Sequence, residues 1–268
     1  MKPSSCCHNV LSQTALIVAA LLITVSLQAQ PAEDKGLVIA RETDRRDAGF
    51  VDTAASATLR LLDKSGSESI RRFRMLTLEQ QGDGDRTLAV FDTPADLAGT
   101  TVLTWSHALT PDDQWLYLPA LKRIKRVASK NKAAAFIGSE FAFEDLSAWE
   151  VKKFTYRWLR DEILEGRDCF VVENTPAYEE SGYSRQVQWV DREIYQPRRI
   201  DYYNHEGALF KTLHFLGYKQ HLGKHWRPTE QVMKNHLTGK STKIEWNDWR
   251  FKTGLGKVDF SPESIATR

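Results

Sequence analysis

Three carboxylates stand close together in the sequence and are the first candidates for acid–base chemistry. Glu140, Glu144 and Asp145 fall within six residues, and two carboxylates in different environments can serve as general acid and general base. Glu144 and Asp145, however, directly precede Leu146, as the polar side of a short helical turn would. We therefore expect these carboxylates to be structural and the protein not to be an enzyme, with a hydrolase as the alternative.

Other residue types that often do chemistry lack the spacing that the chemistry requires. His221 and His225 have the i, i+4 spacing of a metal-binding pair, but Gly223 between them indicates a turn, without a nearby Asp, Glu or Cys to complete the site. Cys169 lies in a short apolar run, which favours a buried side chain over a nucleophile. Residues 239–241 resemble the end of a phosphate-binding loop, but the earlier glycine is missing. The sequence predicts no metal ion and no cofactor.

The beginning of the chain has the pattern of an export signal. After a short positive start, residues 15–27 form a run of 13 apolar residues. A membrane-spanning helix needs roughly 20 such residues, whereas the apolar part of a secretory signal usually has about 7–15. We expect residues 1–29 to be a signal peptide that is cleaved after Ala29, which leaves residues 30–268 as one domain in the periplasm. The alternative is an uncleaved membrane anchor.

The composition excludes two broad classes of protein. The 268 residues include 37 Lys and Arg against 35 Asp and Glu, which gives a formal net charge of +2. This near balance argues against a strongly cationic protein that binds nucleic acid. Hydrophobic residues make up 41% of the chain, which is too many for a disordered acidic chain. We expect a globular protein with a substantial core.

A run of basic residues is the strongest charge feature. Six cations occur within eleven residues, namely Lys122, Arg123, Lys125, Arg126, Lys130 and Lys132. Outside the cytoplasm, the available anions are lipid headgroups, lipopolysaccharide phosphates and acidic protein surfaces. We predict that the first four of these cations dock an anionic membrane or an acidic partner. The alternative is that they protect the edge of a β-sheet from aggregation.

The elements that position these residues are predicted to be β-strands. From residue 57 onward, about a dozen short strand-like runs alternate with turns rich in Gly, Asp and Ser. A short amphipathic helix over residues 36–48 precedes them. Consecutive hairpins of this kind predict an antiparallel meander in a single domain, as a strongly curved sheet or a partial barrel.

One segment breaks the run of hairpins. Residues 129–148 show no period-2 alternation and are too long for a hairpin loop. Long irregular segments in compact domains are often lids or binding loops. The segment contains Phe136, Phe141 and Phe143 among its apolar residues. We predict that it is a lid.

The order of these features resembles the LolA-like family of outer-membrane lipoprotein-sorting proteins. A signal peptide is followed by a short helix with a basic pair at residues 45–46, and residues 113–119 are similar to the W-x-Y-x-P strand of the family. Residues 136–146 resemble its F-x-G-S-D-F-x-Y-E-D-L block, with Phe143 for the usual Tyr and Glu140 for the usual Asp. The resemblance covers essentially the whole mature chain. It indicates an uncharacterised branch often associated with inner-membrane transporters of the resistance-nodulation-division type.

The resemblance implies a mainly β fold with a few helices, an unclosed antiparallel β-barrel with a helical lid over a hydrophobic cavity. An acyl chain in water costs about 0.8 kcal/mol per CH₂, so a lipid needs a carrier to cross the periplasm. The implied function is a monomeric periplasmic carrier that shields the acyl chains of a lipid or lipoprotein between membranes, with such a transporter as a partner. The alternative is a lipid-sensing regulator of a membrane partner.

These expectations place a candidate site at the lid. We predict that Phe136, Phe141 and Phe143 face an acyl-chain cavity. Three aromatic residues of the sheet are expected behind them: Trp105, Trp115 and Tyr117. Since a lid side chain leaves its place when cargo enters, we expect truncation of Phe141 or Phe143 to change stability little and to weaken the binding of a fatty-acyl probe.

Overall fold

A computed structural model describes residues 31–128 and 131–267. The predicted signal peptide of residues 1–29 lies outside these residues, and so does Lys130 of the basic run. Within the described ranges, no helix is long and apolar enough to cross a membrane. The same ranges contain no group of three His, Cys, Asp or Glu side chains arranged to hold a metal ion.

The described part consists of one α-helix, fifteen strands and several short 3₁₀ turns. The helix, α1, spans Ala32–Asp47. The strands are β1 (Asp52–Leu62), β2 (Glu68–Leu78), β3 (Arg86–Thr93), β4 (Thr101–Trp105), β5 (Asp113–Leu118), β6 (Arg123–Val127), β7 (Phe154–Leu164), β8 (Arg167–Pro176), β9 (Arg185–Asp191), β10 (Pro197–Tyr203), β11 (Leu209–Leu216), β12 (Lys219–His221), β13 (His225–Arg227), β14 (Glu230–Asn235) and β15 (Ser241–Phe251). The 3₁₀ turns are Pro119–Leu121, Phe136–Gly138, Phe143–Leu146, Val151–Lys153, Lys257–Phe260 and Ser264–Thr267.

Thirteen of these strands form one antiparallel sheet in the order β6-β5-β4-β3-β2-β1-β15-β14-β11-β10-β9-β8-β7. The chain runs outward as a meander from β1 to β6, resumes at the opposite edge with β7, and runs inward until β15 pairs with β1. Strands β12 and β13 form a separate ribbon. Because β6 and β7 end the sheet without pairing with each other, the predicted unclosed antiparallel architecture is confirmed.

Helix α1 lies directly on the edge strand β7. Its residues Ile39 and Ala40 are buried against Tyr156 of that strand. Gly36 makes the close approach possible, because a Cβ atom there would lie only 2.9 Å from the backbone nitrogen of Trp158. A larger residue would push the helix away from the sheet. The helix therefore covers the edge that β7 would otherwise expose.

The chain between β6 and β7 crosses the concave face of the sheet. We call residues 131–153 the plug segment. Its apolar side chains pack with residues from both halves of the sheet, including Phe73 of β2 and Leu213 of β11. Backbone hydrogen bonds fold the segment on itself, since the N–H of Phe136 donates to the carbonyl of Phe141 over 2.7 Å. The predicted helical lid thus consists of short 3₁₀ turns that close over the sheet.

Candidate ligand-binding cavity

The three phenylalanines of the plug segment belong to the main hydrophobic core. Phe136, Phe141 and Phe143 are 2%, 1% and 9% exposed. Ring centroids are 5.8 Å apart between Phe91 and Phe136 and 5.6 Å apart between Phe136 and Phe143. The void beside Phe136 and Phe143 measures about 10 Å³, which is barely enough for one water molecule. The phenylalanines therefore fill their part of the concave face. They do not border an open cavity, although the sequence analysis predicts that they do.

Two of the candidate carboxylates anchor the plug segment to the loop before β9. The Glu144 carboxylate accepts hydrogen bonds from the Tyr178 hydroxyl at 3.1 Å, the Ser181 hydroxyl at 2.9 Å and the backbone N–H of Gly182 at 2.8 Å. The Asp145 carboxylate accepts from the Tyr183 hydroxyl at 3.0 Å and closes its own turn through the Ala142 N–H at 2.7 Å.

Both carboxyl groups sit where water has little access. The surface that they still expose faces the interior cavity described below. Burial raises the pKa of Asp145 to about 7 and also raises the pKa of Glu144. A carboxyl group with this pKa and a full set of protein partners is an anchor whose strength depends on pH.

The third candidate carboxylate, Glu140, ties the plug segment to strands β14 and β15 in the middle of the sheet. It accepts a hydrogen bond from the Asn235 side-chain amide at 2.7 Å, while its own backbone N–H donates to the Thr242 hydroxyl at 2.9 Å. All three carboxylates thus bind neighbouring protein groups, which agrees with the structural role that we expected.

A buried ion pair fastens both ends of the plug segment to the loop between β4 and β5. The Asp112 carboxylate lies 2.6 Å from Nζ of Lys153 and 3.4 Å from Nζ of Lys132. Lys132 is only 3% exposed. Lys132 therefore belongs to the run of cations in the sequence but not to the charged surface, because it is paired with Asp112 inside the protein.

A cavity of about 820 Å³ opens on the concave face beside the plug segment. It lies between α1, the end of the plug segment and the strands from β7 to β11, and residues of β1 to β3 and of β13 to β15 also border it. Its volume falls within the range of about 300–1,000 Å³ that is usual for ligand pockets. The apolar part of the wall includes Ile39, Val172, Val190, Ile200, Leu213 and Phe215.

A row of side-chain amides interrupts this apolar wall. Asn174 of β8 faces Gln186 of β9 in register, and Gln188 follows on the same face of β9. The three residues are 0%, 5% and 8% exposed. The Asn174 amide nitrogen donates to the Gln188 oxygen at 3.1 Å. The side-chain oxygens of Asn174 and Gln186 are buried and receive no hydrogen bond from the described part of the protein.

Several acidic side chains border the cavity, which is also lined by the basic residues Lys152, Lys153 and Arg227. Burial raises the pKa of Asp85 to about 7, and the negative charges of Glu150 and Glu79 add to this effect. The pKa values of Asp44 and Glu150 are also raised, mainly through loss of contact with water. All of these carboxyl groups border the same opening. An anionic ligand would meet like charges there.

The aromatic residues predicted to back the plug segment lie on the opposite face of the sheet. Trp105, Trp115 and Tyr117 pack with Phe260 and Ile265 of the C-terminal turns. The Trp105 indole N–H donates to the Phe260 carbonyl at 2.7 Å. The prediction that these three residues stand behind the plug phenylalanines is wrong. In β5 it is Leu116 that points to the concave side, and its neighbours in the strand must therefore point away.

The basic run forms the exposed edge strand of the sheet. Arg123 and Lys125 lie on β6, and Lys122 precedes the strand in a left-handed conformation with φ 46°. Arg126 pairs with Asp113 of the neighbouring strand. No described residue forms a side-chain hydrogen bond or ion pair with Lys122, Arg123 or Lys125 within the ranges that the structure covers. Three of the four predicted docking cations are therefore available at the surface.

The remaining candidates have structural places. Cys169 is completely buried, as predicted, and burial raises the pKa of its thiol to about 11. His221 and His225 pair across the turn between β12 and β13 and stack on Phe251 with ring centroids 5.2 and 5.6 Å away. The turn expected at Gly223 is thus confirmed.

Sequence reasoning missed the amide row. The strand Arg185–Asp191 alternates Gln186 and Gln188 with Val187 and Trp189, and such alternation usually places polar side chains in water. Here Val187 and Trp189 pack on the outer face with Cys169. The signal was present in the alternation, but the direction in which the sheet curves decides which face looks into the cavity.

Comparisons with known proteins identify relatives that share this architecture. A family model described as "Uncharacterized protein" matches residues 83–267. The solved structure of an outer membrane lipoprotein-sorting protein domain from Vibrio parahaemolyticus is 46% identical, with a TM-score of 0.86 over 87% of this chain and 99% of that one. A DUF1329 family protein from Desulfovibrio piger is 30% identical, with a TM-score of 0.83 over 88% of this chain and 100% of that one.

A more distant structure shares the fold. A LolA superfamily protein from Nitrosomonas europaea has a TM-score of 0.68 at 20% identity, over 87% of this chain and 98% of that one. A comparison with curated proteins gives no match. The resemblance to lipoprotein-sorting proteins found in the sequence is confirmed. The chain therefore belongs to the same family as the lipoprotein-sorting domain and the DUF1329 protein, and it has the fold of the LolA superfamily.

Proposed function

We propose that this protein is a carrier that shields the acyl chain of a lipid or lipoprotein in the cavity beside the plug segment. The observation that carries the proposal is a cavity of about 820 Å³ on the concave face, the larger part of whose wall is apolar. The kinship with a lipoprotein-sorting domain supports the choice of an acylated cargo. A carrier needs no reaction chemistry, and the candidate carboxylates already serve as anchors of the plug segment.

The energetics of acyl-chain burial fit this role. Removing a CH₂ group from water yields about 0.8 kcal/mol, so ten such groups provide on the order of 8 kcal/mol. That amount corresponds to a Kd of about 1 μM before the entropic cost of association is subtracted. A carrier with this affinity holds its cargo in water and still releases it to a membrane.

The setting of this carrier is also a proposal. We place its action in the periplasm, after removal of residues 1–29, where an acylated molecule must pass through water between two membranes. The protein would act there as a monomer, and an inner-membrane transporter of the resistance-nodulation-division type would be its partner.

The edge strand β6 offers a place to meet the membrane. Lys122, Arg123 and Lys125 are exposed there, and two apolar side chains lie among them: Leu121 is 62% and Ile124 40% exposed. A surface that combines cations with exposed apolar side chains suits the interface of an anionic bilayer, where each kind of residue finds its preferred partner. We therefore propose an anionic membrane as the docking surface.

A cavity-filling substitution on α1 tests the carrier function. Thr43 borders the cavity, whereas Val38 on the same helix is 50% exposed. We expect Thr43→Trp to weaken the binding of a fluorescent fatty-acyl probe at least tenfold, because the indole occupies the space of the chain. The matched control Val38→Trp should bind the probe as the unaltered protein does.

Three measurements decide the outcome. Thermal melts of both variants show whether they are folded, and fluorescence titration gives the probe affinity. Mass spectrometry of lipids that co-purify with the protein from the periplasm should detect an acylated molecule that Thr43→Trp loses. The absence of probe binding in the unaltered protein, or an unchanged affinity in folded Thr43→Trp, would rule out this cavity as the cargo site.

A further inference from the structure

We propose that Asn174 and Gln186 form a polar subsite in the cavity that selects cargo with a hydrogen-bond-donating group, such as a hydroxyl or an N–H, near its buried end. This inference rests on the proposed carrier function and adds the chemical class of the cargo. It predicts that the carrier distinguishes two amphiphiles with equal chains by whether their oxygen carries a hydrogen to donate.

The geometry of the two amides supports a common binding point. Asn174 and Gln186 are register partners on adjacent antiparallel strands, and side chains of such partners leave the same face only about 5 Å apart. Both residues border the cavity and are more than nine-tenths buried. Their side-chain oxygens are buried and receive no hydrogen bond from the described residues, so two unpaired acceptors lie close together within one small region of the wall.

These two acceptors differ in polarity from the apolar side chains that surround the amide row in the cavity wall. Beyond the row of three amides the wall is apolar, with Val172 on β8, Val190 on β9 and Ile200 on β10. A wall built only to hold hydrocarbon would carry apolar residues at all of these positions. A buried polar group without a partner lowers stability. Two such groups in one place therefore indicate a ligand contact.

The selectivity follows from the exchange of water for cargo. Water satisfies buried acceptors while a polar cavity is empty, and a ligand that displaces it must replace its hydrogen bonds or lose affinity. A hydroxyl or an N–H makes that replacement. An ether or ester oxygen offers no hydrogen, and an ionised carboxylate adds negative charge to a cavity whose mouth already holds Asp44, Asp85 and Glu150.

The test compares 1-decanol with decyl methyl ether. Both carry the same chain and an oxygen, but only the alcohol has a hydrogen to donate. Each competes with the fluorescent fatty-acyl probe for the full-length mature protein. We expect the alcohol to bind about tenfold more tightly than the ether, because the ether leaves the buried acceptors unpaired.

Variants assign the preference to the two amides. Asn174→Leu and Gln186→Leu should each reduce the ratio of the two affinities toward one, mainly through weaker binding of the alcohol. The matched control is Gln114→Leu, since Gln114 is a buried amide that lies outside the cavity and bonds to Thr104 at 3.1 Å. It should keep the preference. The ether affinity of each variant reports whether the cavity is intact.

The outcomes separate this inference from the carrier function. Equal binding of alcohol and ether by the unaltered protein would overturn the polar subsite and leave the carrier function standing. A preference that persists in folded Asn174→Leu and Gln186→Leu would overturn the assignment to these residues. If neither compound displaces the probe because the probe itself does not bind, the carrier function and the subsite are both wrong. The comparison within the unaltered protein needs no variant to fold.

Discussion

The concave face of this sheet is used in two different ways along its length. Over β2 to β5, the plug segment packs against the sheet so closely that only about 10 Å³ remains open beside Phe136 and Phe143. Over β8 to β11, and toward β14 and β15, the same face borders a cavity of about 820 Å³. A continuous sheet thus carries a filled region and an open region side by side.

The side chains on the sheet account for the difference. In the filled region, small residues such as Ala57 and Ala89 leave room for the phenylalanine rings of the plug segment. In the open region, the segment continues as short turns around Trp149 and Val151, which pack against α1 and β7 at the rim. The plug segment therefore leaves the cavity open beyond the last of its three phenylalanines, Phe143.

The largest expected effect comes from removing a ring in the filled region. Phe141→Ala should lower the free energy of unfolding by about 3–5 kcal/mol, because the packed site cannot collapse around the void. Phe215→Ala in the open region should lower it by only about 1–2 kcal/mol, since that ring already borders empty space on one side. Chemical denaturation of both variants gives the two values.

This prediction replaces the expectation drawn from the sequence. A lid side chain that leaves when cargo enters would contribute little to the empty protein, and the burial of Phe141 speaks against that view. A small stability loss in Phe141→Ala, together with weaker binding of the acyl probe, would restore the mobile lid and erase the contrast between the two regions.

The next effect concerns the ion pair that fastens the plug segment. Asp112→Asn leaves Lys132 and Lys153 in a buried site without their counter-charge. Breaking a buried pair from one side costs about 3 kcal/mol or more. The control is Asp92→Asn, whose partner Arg74 lies in an exposed pair, and it should cost less than about 1 kcal/mol. Equal effects in denaturation experiments would show that the buried pair does not hold the segment.

A third effect is a dependence of stability on pH that originates at Asp145. Its pKa is about 7 in the folded protein against 3.8 for the free side chain, so between these values the folded state binds more protons than the unfolded state. Its contribution to stability is therefore complete below about pH 4 and is lost as the pH rises toward 7, by on the order of 1 kcal/mol per pH unit.

The neutral variant Asp145→Asn isolates this contribution. It keeps the shape of the side chain and removes the titration. Relative to the unaltered protein, the variant should therefore gain stability steadily as the pH is raised from 4 to 8. Melting temperatures of both proteins over that range measure the difference. Parallel pH profiles would mean that Asp145 titrates normally and that the pH-sensitive anchor does not exist.

Much of the fold could be predicted because its signals are local. Alternation between flanking turn residues marks a strand such as β9 (Arg185–Asp191) directly in the sequence. The run of residues 225–236 has the pattern of one strand, but the structure has β13 and β14 with Pro228 between them. Proline has no N–H to donate to the sheet, which accounts for the break.

The cavity could be predicted only in part because its position depends on curvature. Alternation correctly separates Trp115 from Leu116, but both faces of β5 are apolar, so the pattern does not say which face is concave. The same ambiguity hid Gln186 and Gln188, whose polar face looks inward. Which face is concave follows from the twist of all thirteen strands together, and no single strand encodes it.

The two edges of the sheet repeat the contrast between the regions. The edge at β7, next to the cavity, is covered by α1, whose Ile39 and Ala40 are buried. The edge at β6, next to the filled region, is bare and cationic, with Arg123, Lys125 and Ile124 at the surface. An uncovered edge strand invites pairing with other sheets, and its charges protect it whether or not they also bind a membrane.

The smallest expected effect decides between these two roles of the β6 edge. In the fourfold variant with Gln at positions 122, 123, 125 and 126, the free energy of unfolding should change by less than about 1 kcal/mol, because exposed charges contribute little. It should bind anionic liposomes more weakly at low salt, and the difference should fade as salt screens the charges. Arg126→Gln alone should bind nearly as the unaltered protein does, since Arg126 is already paired with Asp113.

If the fourfold variant binds liposomes normally but aggregates, the cations serve only to protect the edge. If it instead loses affinity for an acidic protein partner and not for liposomes, the docking surface is a protein.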